Sequence, residues 1–372
     1  MSPSKLLFTP GPLNTTDGVK SAMLCDMGSR DAEFLGIVRE IRRQLLEIGG
    51  ADEAFECVLL QGSGTYVLES VISSAIPRDG RLLVLVNGAY GRRIRDIAKV
   101  HGIETEALEL AENRKFTAEM VRDQLAALPG TTHVAAVHCE TTTGILNPIE
   151  EIGPIVRNAG AVYFVDAMSS FGAVEIDLKT APIDFLVSSA NKCIQGVPGF
   201  GFVLARRERL LECRGRARTL SLDLYAQWAA GEADGEFRFT PPVQVLLAFH
   251  QALREFNAEG GVRGRGARYR SNHVALMRGM RELGFETYLA PEDASHIITT
   301  FRYPANPQFK YEALYRKLSE WGFIIYPGKL SDEPTFRIGT IGALYPRNIE
   351  ALVEKIGLVL EEMGVDVPIM RR

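Results

Sequence analysis

The sequence predicts an α/β fold, with a large domain whose mostly parallel sheet lies between helices and a smaller C-terminal α+β domain. Short apolar runs such as residues 82–86 and 161–165 alternate with helical patterns through the first part of the chain. Such runs are typical of parallel strands buried on both faces. After Pro241 and Pro242 the pattern changes to long helices and short strands. The length of 372 residues fits two domains at roughly 150 residues each.

The predicted strands of the large domain are apolar runs that lead into helical patterns. In chain order, these strands are residues 57–60, 82–86, 133–137, 161–165, 183–187 and 201–205. The helices between them are predicted from about residue 65, over residues 92–100 and over residues 149–159. Because continuous apolar runs of this length indicate fully buried strands, we expect helices on both faces of the sheet.

The C-terminal part combines long helices with shorter strands. The predicted helices are about residues 243–256, about residues 262–283 and a last one from about Asn348, and the predicted strands lie near residues 296–303, 323–326 and 335–338. We place the domain boundary near residue 255. Residues 1–255 then form the large domain, with an extended segment at residues 1–15, and residues 256–372 form the small one. Since the sequence has no flexible linker there, we expect close packing of the two domains.

Composition and charge exclude several classes of protein. Hydrophobic residues make up 46% and charged residues 24% of the chain, which is typical of a globular protein. Lys and Arg number 42 against 46 Asp and Glu, giving a net charge of −4. The chain thus has no excess of positive charge for phosphate backbones or anionic lipids. We therefore expect neither a nucleic acid nor a membrane as a partner.

The cysteines and the first residues indicate a cytoplasmic protein. The five cysteines are an odd number, are widely scattered and form no CxxC pair, so neither a disulfide framework nor a metal site is predicted. The first twelve residues contain early prolines and lack the apolar core of a signal peptide. No apolar run approaches the roughly 20 residues that span a bilayer.

A glycine-rich turn at residues 61–65, Gln-Gly-Ser-Gly-Thr, follows the first predicted strand of the sheet. Ligands of open α/β sheets bind beyond the carboxyl ends of the strands, and glycines let backbone N–H groups approach an anion at a helix N-terminus. The turn has neither the GxGxxG pattern nor the lysine of a P-loop, so it favours a single phosphate over a dinucleotide. The alternative is a tight turn in which Ser63 or Thr65 caps the helix.

Asp166 and Lys192 are the other residues that indicate chemistry. Asp166 ends an apolar strand, where a buried carboxylate needs a cationic partner. An isolated aspartate at the end of a strand more commonly caps the next segment. Lys192 lies within residues 188–199, which contain no other charge. A shielded lysine has a lowered amine pKa and can bind an aldehyde covalently, whereas a lysine without these surroundings is more often a surface group.

Together, a phosphate-binding turn, a strand-end aspartate and a shielded lysine are what pyridoxal 5′-phosphate requires for its phosphate, ring nitrogen and aldehyde. Here the sequence resembles the class V family of fold-type I pyridoxal-phosphate aminotransferases. The resemblance extends from Phe-Thr-Pro-Gly-Pro at residues 8–12 to Phe-Arg-Ile-Gly at residues 336–339, and it includes the lysine motif at residues 188–201. It implies a fold-type I transferase that uses pyridoxal 5′-phosphate.

The resemblance also implies roles for individual residues of the cofactor site. Lys192 matches the lysine that binds the cofactor aldehyde, and Asp166 matches the partner of the pyridine nitrogen. The phosphate loop is matched by Ser63, Gly64 and Thr65.

Other matches concern residues around the cofactor and the substrate. Tyr90 matches the aromatic residue that stacks on the cofactor ring, and Thr141 matches a hydroxyl residue in contact with it, although Thr142 and Thr143 are alternatives to Thr141. Thr240 resembles the residue that reaches the cofactor phosphate of the neighbouring subunit, which implies a homodimer. The substrate-binding candidates are Arg337, which matches the arginine that holds the substrate carboxylate, and Arg30, a weaker anion-site candidate.

Within the family, the lysine motif is most similar to that of members that transfer an amino group from 2-aminoethylphosphonate to pyruvate. The expected activity is therefore this transamination, and the main alternative is transfer from alanine or serine to glyoxylate or pyruvate. A cysteine desulfurase would need a reactive cysteine in the C-terminal part, but the last cysteine is Cys213. A nicotinamide dehydrogenase would need an early GxGxxG. A cofactor-binding protein without catalytic activity remains an alternative of another class.

Overall fold

A seven-stranded sheet forms the centre of the large domain in the computed structural model, which describes residues 5–330 and 333–369. Residues 1–4 of the predicted extended segment lie outside the described residues, as do 331–332 and 370–372. The strands are β1 (Leu6–Leu7), β2 (Phe55–Gly62), β3 (Arg81–Val86), β4 (Glu104–Glu109), β5 (His133–Val137), β6 (Cys139–Glu140), β7 (Ile145–Leu146), β8 (Val162–Asp166), β9 (Phe185–Ser189), β10 (Gly199–Arg206), β11 (Ile298–Arg302), β12 (Phe323–Ile324), β13 (Tyr326–Pro327) and β14 (Thr335–Gly339).

Helices precede, separate and follow these strands. They are α1 (Asp17–Ser21), a 3₁₀ helix (Ala22–Leu24), α2 (Ala32–Ile48), α3 (Gly64–Ala75), α4 (Ala89–Val100), α5 (Ala118–Ala127), α6 (Ile149–Asn158), α7 (Arg207–Glu212), α8 (Leu224–Ala233), α9 (Val243–Ala258), α10 (Gly261–Glu282), α11 (Tyr311–Glu320) and α12 (Pro346–Glu362). In the described part of the chain, no helix has the length and apolar character that a membrane crossing requires.

The large sheet has the strand order β2-β10-β9-β8-β5-β3-β4. Strand β10 runs antiparallel to both of its neighbours, and the other pairs are parallel. Leu83 and Leu85 of β3 pack into one buried cluster, with apolar side chains of α2, α6 and α9. Leu82 and Val84 pack into a second cluster, with side chains of α3 and α4. The α/β prediction is therefore confirmed, because each face of the sheet is covered by helices.

Strand β4 is the strand of this sheet that sequence reasoning missed. Its residues Glu104–Glu109 are exposed or half-buried, and it lies at the edge of the sheet. An edge strand is covered less than a central one, so it lacks the apolar run that marked the others. The predicted strand at residues 323–326 is instead two short strands, β12 and β13, which pair with β1 and β14 respectively.

The C-terminal part has its own apolar cluster around a three-stranded sheet of order β11-β14-β13. Phe8 also packs into this cluster, and β1 pairs in parallel with β12. The segment that carries β1 therefore packs with the C-terminal part, although it precedes the large domain in sequence. Helix α9 packs in the first cluster of the large domain, and the division near residue 255 remains a prediction.

Candidate active site

A cavity of about 160 Å³ lies beyond the carboxyl ends of β2, β5, β8 and β9. Seven of the ten residues predicted for the site line it, namely Ser63, Gly64, Thr65, Tyr90, Thr141, Asp166 and Lys192. The fold brings these residues together because parallel strands end at the same edge of a sheet. The cavity thus lies where the sequence predicts a cofactor site.

Lys192 enters this cavity from the turn after β9. Its Nζ donates a hydrogen bond to the backbone carbonyl of Pro10, at 3.0 Å. Burial lowers the pKa of the Lys192 amine below its ordinary value, although Tyr90 and Asp166 act in the opposite direction. Gly11 has a φ of +135°, and a Cβ at this position would lie 2.6 Å from Lys192 Nζ. The Pro10–Gly11 backbone therefore covers the amine at a distance that a larger residue at position 11 would not allow.

Helix α10 holds the turn that carries Lys192. The carbonyl of Cys193 accepts hydrogen bonds from Arg265 Nη1 at 2.6 Å and from the Tyr269 hydroxyl at 3.1 Å. The Tyr269 hydroxyl in turn accepts from Gln195 Nε2 at 2.6 Å and from the backbone N–H of Gly342 at 3.2 Å. Gln195 has a φ of +67°, a region rare for residues other than glycine. These contacts fix the backbone that follows Lys192.

Asp166 ends β8 and is 4% exposed. Its Oδ1 accepts a hydrogen bond from the backbone N–H of Met168, at 2.9 Å. Burial raises the pKa of the Asp166 carboxyl to about 6, and Glu140 acts in the same direction, whereas Lys192 and Arg93 oppose the shift. A buried carboxylate of this kind favours a cationic ligand, since a positive charge nearby would offset the cost of burial.

The anion-binding turn leads directly into the twelve-residue helix α3. Ser63 is the N-cap residue, but its side chain makes no capping hydrogen bond. The first N–H groups of a helix have no intrahelical acceptor and attract anions. A Cβ at Gly64 would meet the end of the flexible Met168 side chain, so a larger residue there would require Met168 to move.

Arg93 is a residue of the cavity that sequence reasoning missed. Its Nη1 donates to Thr65 Oγ1 at 3.2 Å, and its guanidinium carbon lies 4.8 Å from the centroid of the Tyr90 ring. Because Arg93 occupies an acceptor position of the Thr65 hydroxyl, the hydroxyl proton is free to bind an anion. A signal for Arg93 was present in the sequence, since residues three apart share one face of a helix and Tyr90 was already a candidate.

The three adjacent threonines point in different directions, and the cofactor contact of Thr141 remains a prediction. Thr141 lines the cavity. The Thr142 hydroxyl donates to Glu140 Oε1 at 2.6 Å and accepts from the backbone N–H of Ala89 at 2.8 Å. Thr143 Oγ1 accepts from the backbone N–H of Ile145 at 3.3 Å. Thr141 is therefore the threonine placed to contact a ligand.

Glu140 is fully buried and joins the threonine loop to the start of α4. Its Oε2 accepts from the backbone N–H groups of Tyr90 and Gly91, at 3.0 and 3.2 Å, and its Oε1 accepts from the N–H and hydroxyl of Thr142. Burial raises the pKa of Glu140, although these hydrogen bonds oppose the shift. The carboxylate thus accepts hydrogen bonds at the N-terminus of α4, where the helix dipole favours negative charge, and it fixes the backbone of Tyr90.

Replacing Glu140 with glutamine is expected to lower the free energy of unfolding by about 1–3 kcal/mol, because a side-chain NH₂ group would face backbone N–H donors and leave them unsatisfied. The measurement is chemical unfolding of the wild type and Glu140→Gln. The exposed Glu361 provides a matched control, for which Glu361→Gln should change this free energy by less than about 0.5 kcal/mol. Equal stability of Glu140→Gln and the wild type would contradict the assigned role.

Arg337 lies next to the cavity. Its Nη1 donates to the carbonyl of Thr141 at 2.8 Å and its Nε donates to the carbonyl of Pro327 at 3.0 Å. The residue is 4% exposed, and burial lowers the pKa of its guanidinium. Arg337 therefore contacts Thr141, whose side chain is hydrogen-bonded to the Tyr90 hydroxyl.

Thr240 and Arg30, the two remaining candidates, lie outside the cavity of this chain. Thr240 is exposed, and its carbonyl lies 3.5 Å from Gln61 Nε2. Arg30 has a side chain that is 82% exposed, and its Nε lies 3.0 Å from Glu236 Oε2. Their predicted roles therefore remain predictions.

The cysteines near the cavity are not placed for nucleophilic chemistry. Cys139 lines the cavity and Cys193 follows the candidate lysine, and burial raises the pKa of both thiols to about 12. Because the thiolate is the reactive form, thiols with such pKa values are inert at neutral pH.

The residues of the cavity fit pyridoxal phosphate. A helix start without a side-chain cap faces the cavity at Ser63, as the phosphate requires. The buried Asp166 carboxylate suits a protonated ring nitrogen, and the amine of Lys192 suits an aldehyde.

Comparison with known proteins agrees with this chemistry. The model of the family described as aminotransferase class-V matches residues 18–341. The 2-aminoethylphosphonate–pyruvate transaminase of Syntrophobacter fumaroxidans is 50% identical over 360 residues, which cover 96% of this chain and 97% of that protein. The protein of the same name from Salmonella paratyphi B is 49% identical over 353 residues, covering 94% and 96%.

Solved structures show the same fold. The pyridoxamine–pyruvate aminotransferase of Mesorhizobium loti superimposes with a TM-score of 0.90 at 24% identity, covering 98% of this chain and 94% of that one. The alanine–glyoxylate aminotransferase of a Nostoc species superimposes with a TM-score of 0.88 at 25% identity, covering 98% and 96%. The predicted fold type is confirmed by these likenesses.

Proposed function

Because the chain belongs to the class-V aminotransferase family, we propose that it transfers the amino group of 2-aminoethylphosphonate to pyruvate, giving phosphonoacetaldehyde and L-alanine, with pyridoxal 5′-phosphate as cofactor. The observation that carries the proposal is the 50% identity, over nearly the full length of both chains, to a transaminase named for these two substrates. The cavity adds support, since it contains the amine, carboxylate and anion-binding turn that the chemistry needs.

The residues of the cavity have different roles in the proposed reaction. Pyridoxal phosphate, when bound, supplies an aldehyde for the substrate amine and a ring that withdraws electrons. The α3 N-terminus, with Ser63, Gly64 and Thr65, binds the phosphate. Asp166 holds a proton on the ring nitrogen, because its carboxylate stabilises the positive charge there. Glu140 and Arg93 position Tyr90 and Thr65.

Lys192 acts as the general base. Burial lowers the pKa of its amine, which increases the unprotonated fraction at neutral pH. Lys192 Nζ then removes the proton from the substrate carbon that bears the nitrogen, and it holds this proton for return. Arg337 binds the carboxylate of pyruvate through the N–H groups that Pro327 and Thr141 leave free. Since the two substrates react in turn, the kinetics should be ping-pong.

The proposal extends to a cytoplasmic homodimer. Apolar side chains near the start of α3 and around Thr240 are exposed in the single chain, including Tyr66 at 56% and Phe239 at 42%. A second copy of the chain would cover such side chains, and Thr240 would then reach the cofactor phosphate of the partner. Arg30 is proposed to face an anion only in that assembly. Sedimentation equilibrium of the loaded protein tests the dimer.

The test of the activity is a donor comparison with purified, cofactor-loaded protein. Pyruvate is supplied as acceptor, and 2-aminoethylphosphonate, alanine and serine are compared as donors, with glyoxylate as the alternative acceptor. We expect 2-aminoethylphosphonate with pyruvate to give the highest kcat/KM. A protein that ignores 2-aminoethylphosphonate but uses alanine or serine with glyoxylate would have the alternative activity, which the named relatives do not favour.

Replacing Arg337 with lysine is expected to lower kcat/KM of the alanine–pyruvate half-reaction by about 10- to 100-fold, since one planar two-pronged contact with a carboxylate is lost. The 2-aminoethylphosphonate half-reaction should lose less, because a point charge still attracts a dianion. Both half-reactions are measured in single turnovers. The exposed Arg347 gives the control Arg347→Lys, and equal losses in the two half-reactions of Arg337→Lys would contradict differential recognition.

A further inference from the structure

Lys329 is a cation that lies beside the Tyr90 ring, as Arg93 does. Lys329 follows β13, and its Nζ lies 4.8 Å from the centroid of the Tyr90 ring. Lys329 is exposed, and it has no carboxylate partner within residues 5–330 and 333–369. An exposed lysine has a flexible side chain and can move its ammonium onto an incoming anion at little cost.

The loop that carries Lys329 is tied to the strand that carries Arg337. The carbonyl of Pro327 accepts from Arg337 Nε at 3.0 Å, and the N–H of Gly328 donates to the carbonyl of Thr335 at 2.8 Å. A Cβ at Gly328 would collide with the side chain of Thr335, so the backbone lies directly against β14. These contacts keep the start of the Lys329 side chain at a fixed distance from the arginine.

Three cations lie close enough to Tyr90 to lower the pKa of its hydroxyl. Burial would raise the pKa of Tyr90, but the hydrogen bond with Thr141 and the charges of Lys192, Lys329 and Arg337 lower it below the ordinary value. Of these three cations, Lys192 is engaged in the amine chemistry. Arg337 and Lys329 remain for the acidic end of a substrate.

Arg337 alone matches a carboxylate better than a phosphonate. Its guanidinium has five N–H groups, of which one on Nε and one on Nη1 already bind the carbonyls of Pro327 and Thr141. The remaining three suffice for the two oxygens of a carboxylate. A phosphonate is tetrahedral, with three oxygens and up to two negative charges, so a planar guanidinium that faces two of the oxygens leaves the third outside its plane and one charge unpaired.

We propose that Lys329 is the second cation that recognises the phosphonate group of the amine donor, together with Arg337, and that it contributes little to the binding of carboxylate substrates. The inference rests on the proposed function, since it names the residue that distinguishes the two substrates of that reaction. The two can fail separately, because the activity of the wild type tests the proposed function, whereas ligand binding by the wild type and the Lys329 variants tests the inference.

The test uses Lys329→Met, which removes the charge at similar length, and Lys329→Arg, which keeps a cation. Ethylphosphonate and propionate, which lack the amino group, are titrated calorimetrically into the loaded enzyme. We expect Lys329→Met to raise the Kd of ethylphosphonate by about 10- to 100-fold and that of propionate by less than about 3-fold. Lys329→Arg should restore most of the affinity. The exposed Lys310 gives the control Lys310→Met, with both affinities unchanged.

Half-reactions provide a second measurement. In Lys329→Met, kcat/KM for 2-aminoethylphosphonate should fall by about the same factor as the phosphonate affinity, mainly through KM, while that for L-alanine should hardly change. Equal losses for both donors would show that Lys329 only packs on Tyr90 and would overturn the inference. An unchanged Kd for ethylphosphonate in Lys329→Met, or no binding of ethylphosphonate to the wild type, would also overturn it. A wild type that binds ethylphosphonate but does not transaminate 2-aminoethylphosphonate would overturn the proposed function.

Discussion

Replacing Lys192 with alanine is expected to reduce transamination by about 10⁴-fold or more, because the residue supplies both the covalent link to the cofactor and the proton transfer. The cofactor should still bind, though more weakly, since the α3 N-terminus and Asp166 do not depend on the amine. Single-turnover amino transfer and equilibrium dialysis of pyridoxal phosphate measure the two effects. The exposed Lys179 offers a matched control, and Lys179→Ala should retain full activity.

Borohydride reduction provides a direct check on Lys192. In the wild type, reduction followed by peptide mapping should place the cofactor on Lys192. In Lys192→Ala, the label should be absent. A label on another lysine of the wild type, or substantial turnover by Lys192→Ala, would refute the assignment.

Replacing Asp166 with asparagine is expected to slow amino transfer by about 10²- to 10⁴-fold, a range typical of a group that controls a proton in the reaction. The amide has the shape of the carboxylate but not its charge, so the ring nitrogen loses the partner that keeps it protonated. The rate should fall more than the cofactor affinity. Single-turnover rates are compared with those of Asp123→Asn, which changes an exposed carboxylate. Equal rates in Asp166→Asn and the wild type would refute the role.

The pH dependence of cofactor binding has a definite sign. Burial raises the pKa of Asp166 to about 6, so the carboxylate is charged above that pH and becomes neutral as the pH falls through it. The wild type should therefore lose its advantage in cofactor affinity over Asp166→Asn below about pH 6. Taking the ratio of the two dissociation constants removes the titration of the cofactor phosphate, which both proteins share. A ratio that is constant from pH 5 to pH 8 would contradict this assignment.

The central strands could be predicted because each is buried on both faces. Leu82 to Val86 alternate between two apolar clusters, so the whole run is apolar and stands out in the sequence. The exposed edge strand Glu104–Glu109 has no such run. Helix α2 was also missed, although its buried face includes Phe34, Val38 and Ile41, because the apolar runs of the strands dominated the pattern.

The parts of the site also differ in whether their positions could be predicted from the sequence. Ser63 directly follows β2 and Asp166 is the last residue of β8, so their position relative to the sheet edge follows from the chain itself. Arg265 and Tyr269 bind the lysine turn from α10, more than seventy residues further along the chain. Such contacts depend on how the two parts of the chain pack, and a single sequence carries no local signal of them.

The contact between the Pro10 carbonyl and Lys192 also depends on the order in which the chain is synthesised. Strand β1 leaves the ribosome well before its partner β12, which follows more than three hundred residues later, that is, after tens of seconds at about 5–20 residues per second. Until then, the segment that covers Lys192 has no strand to pair with. Ribosome-bound chains that end before β12 should therefore form the large sheet with an accessible lysine, and the amine should become protected only after β12 has been synthesised.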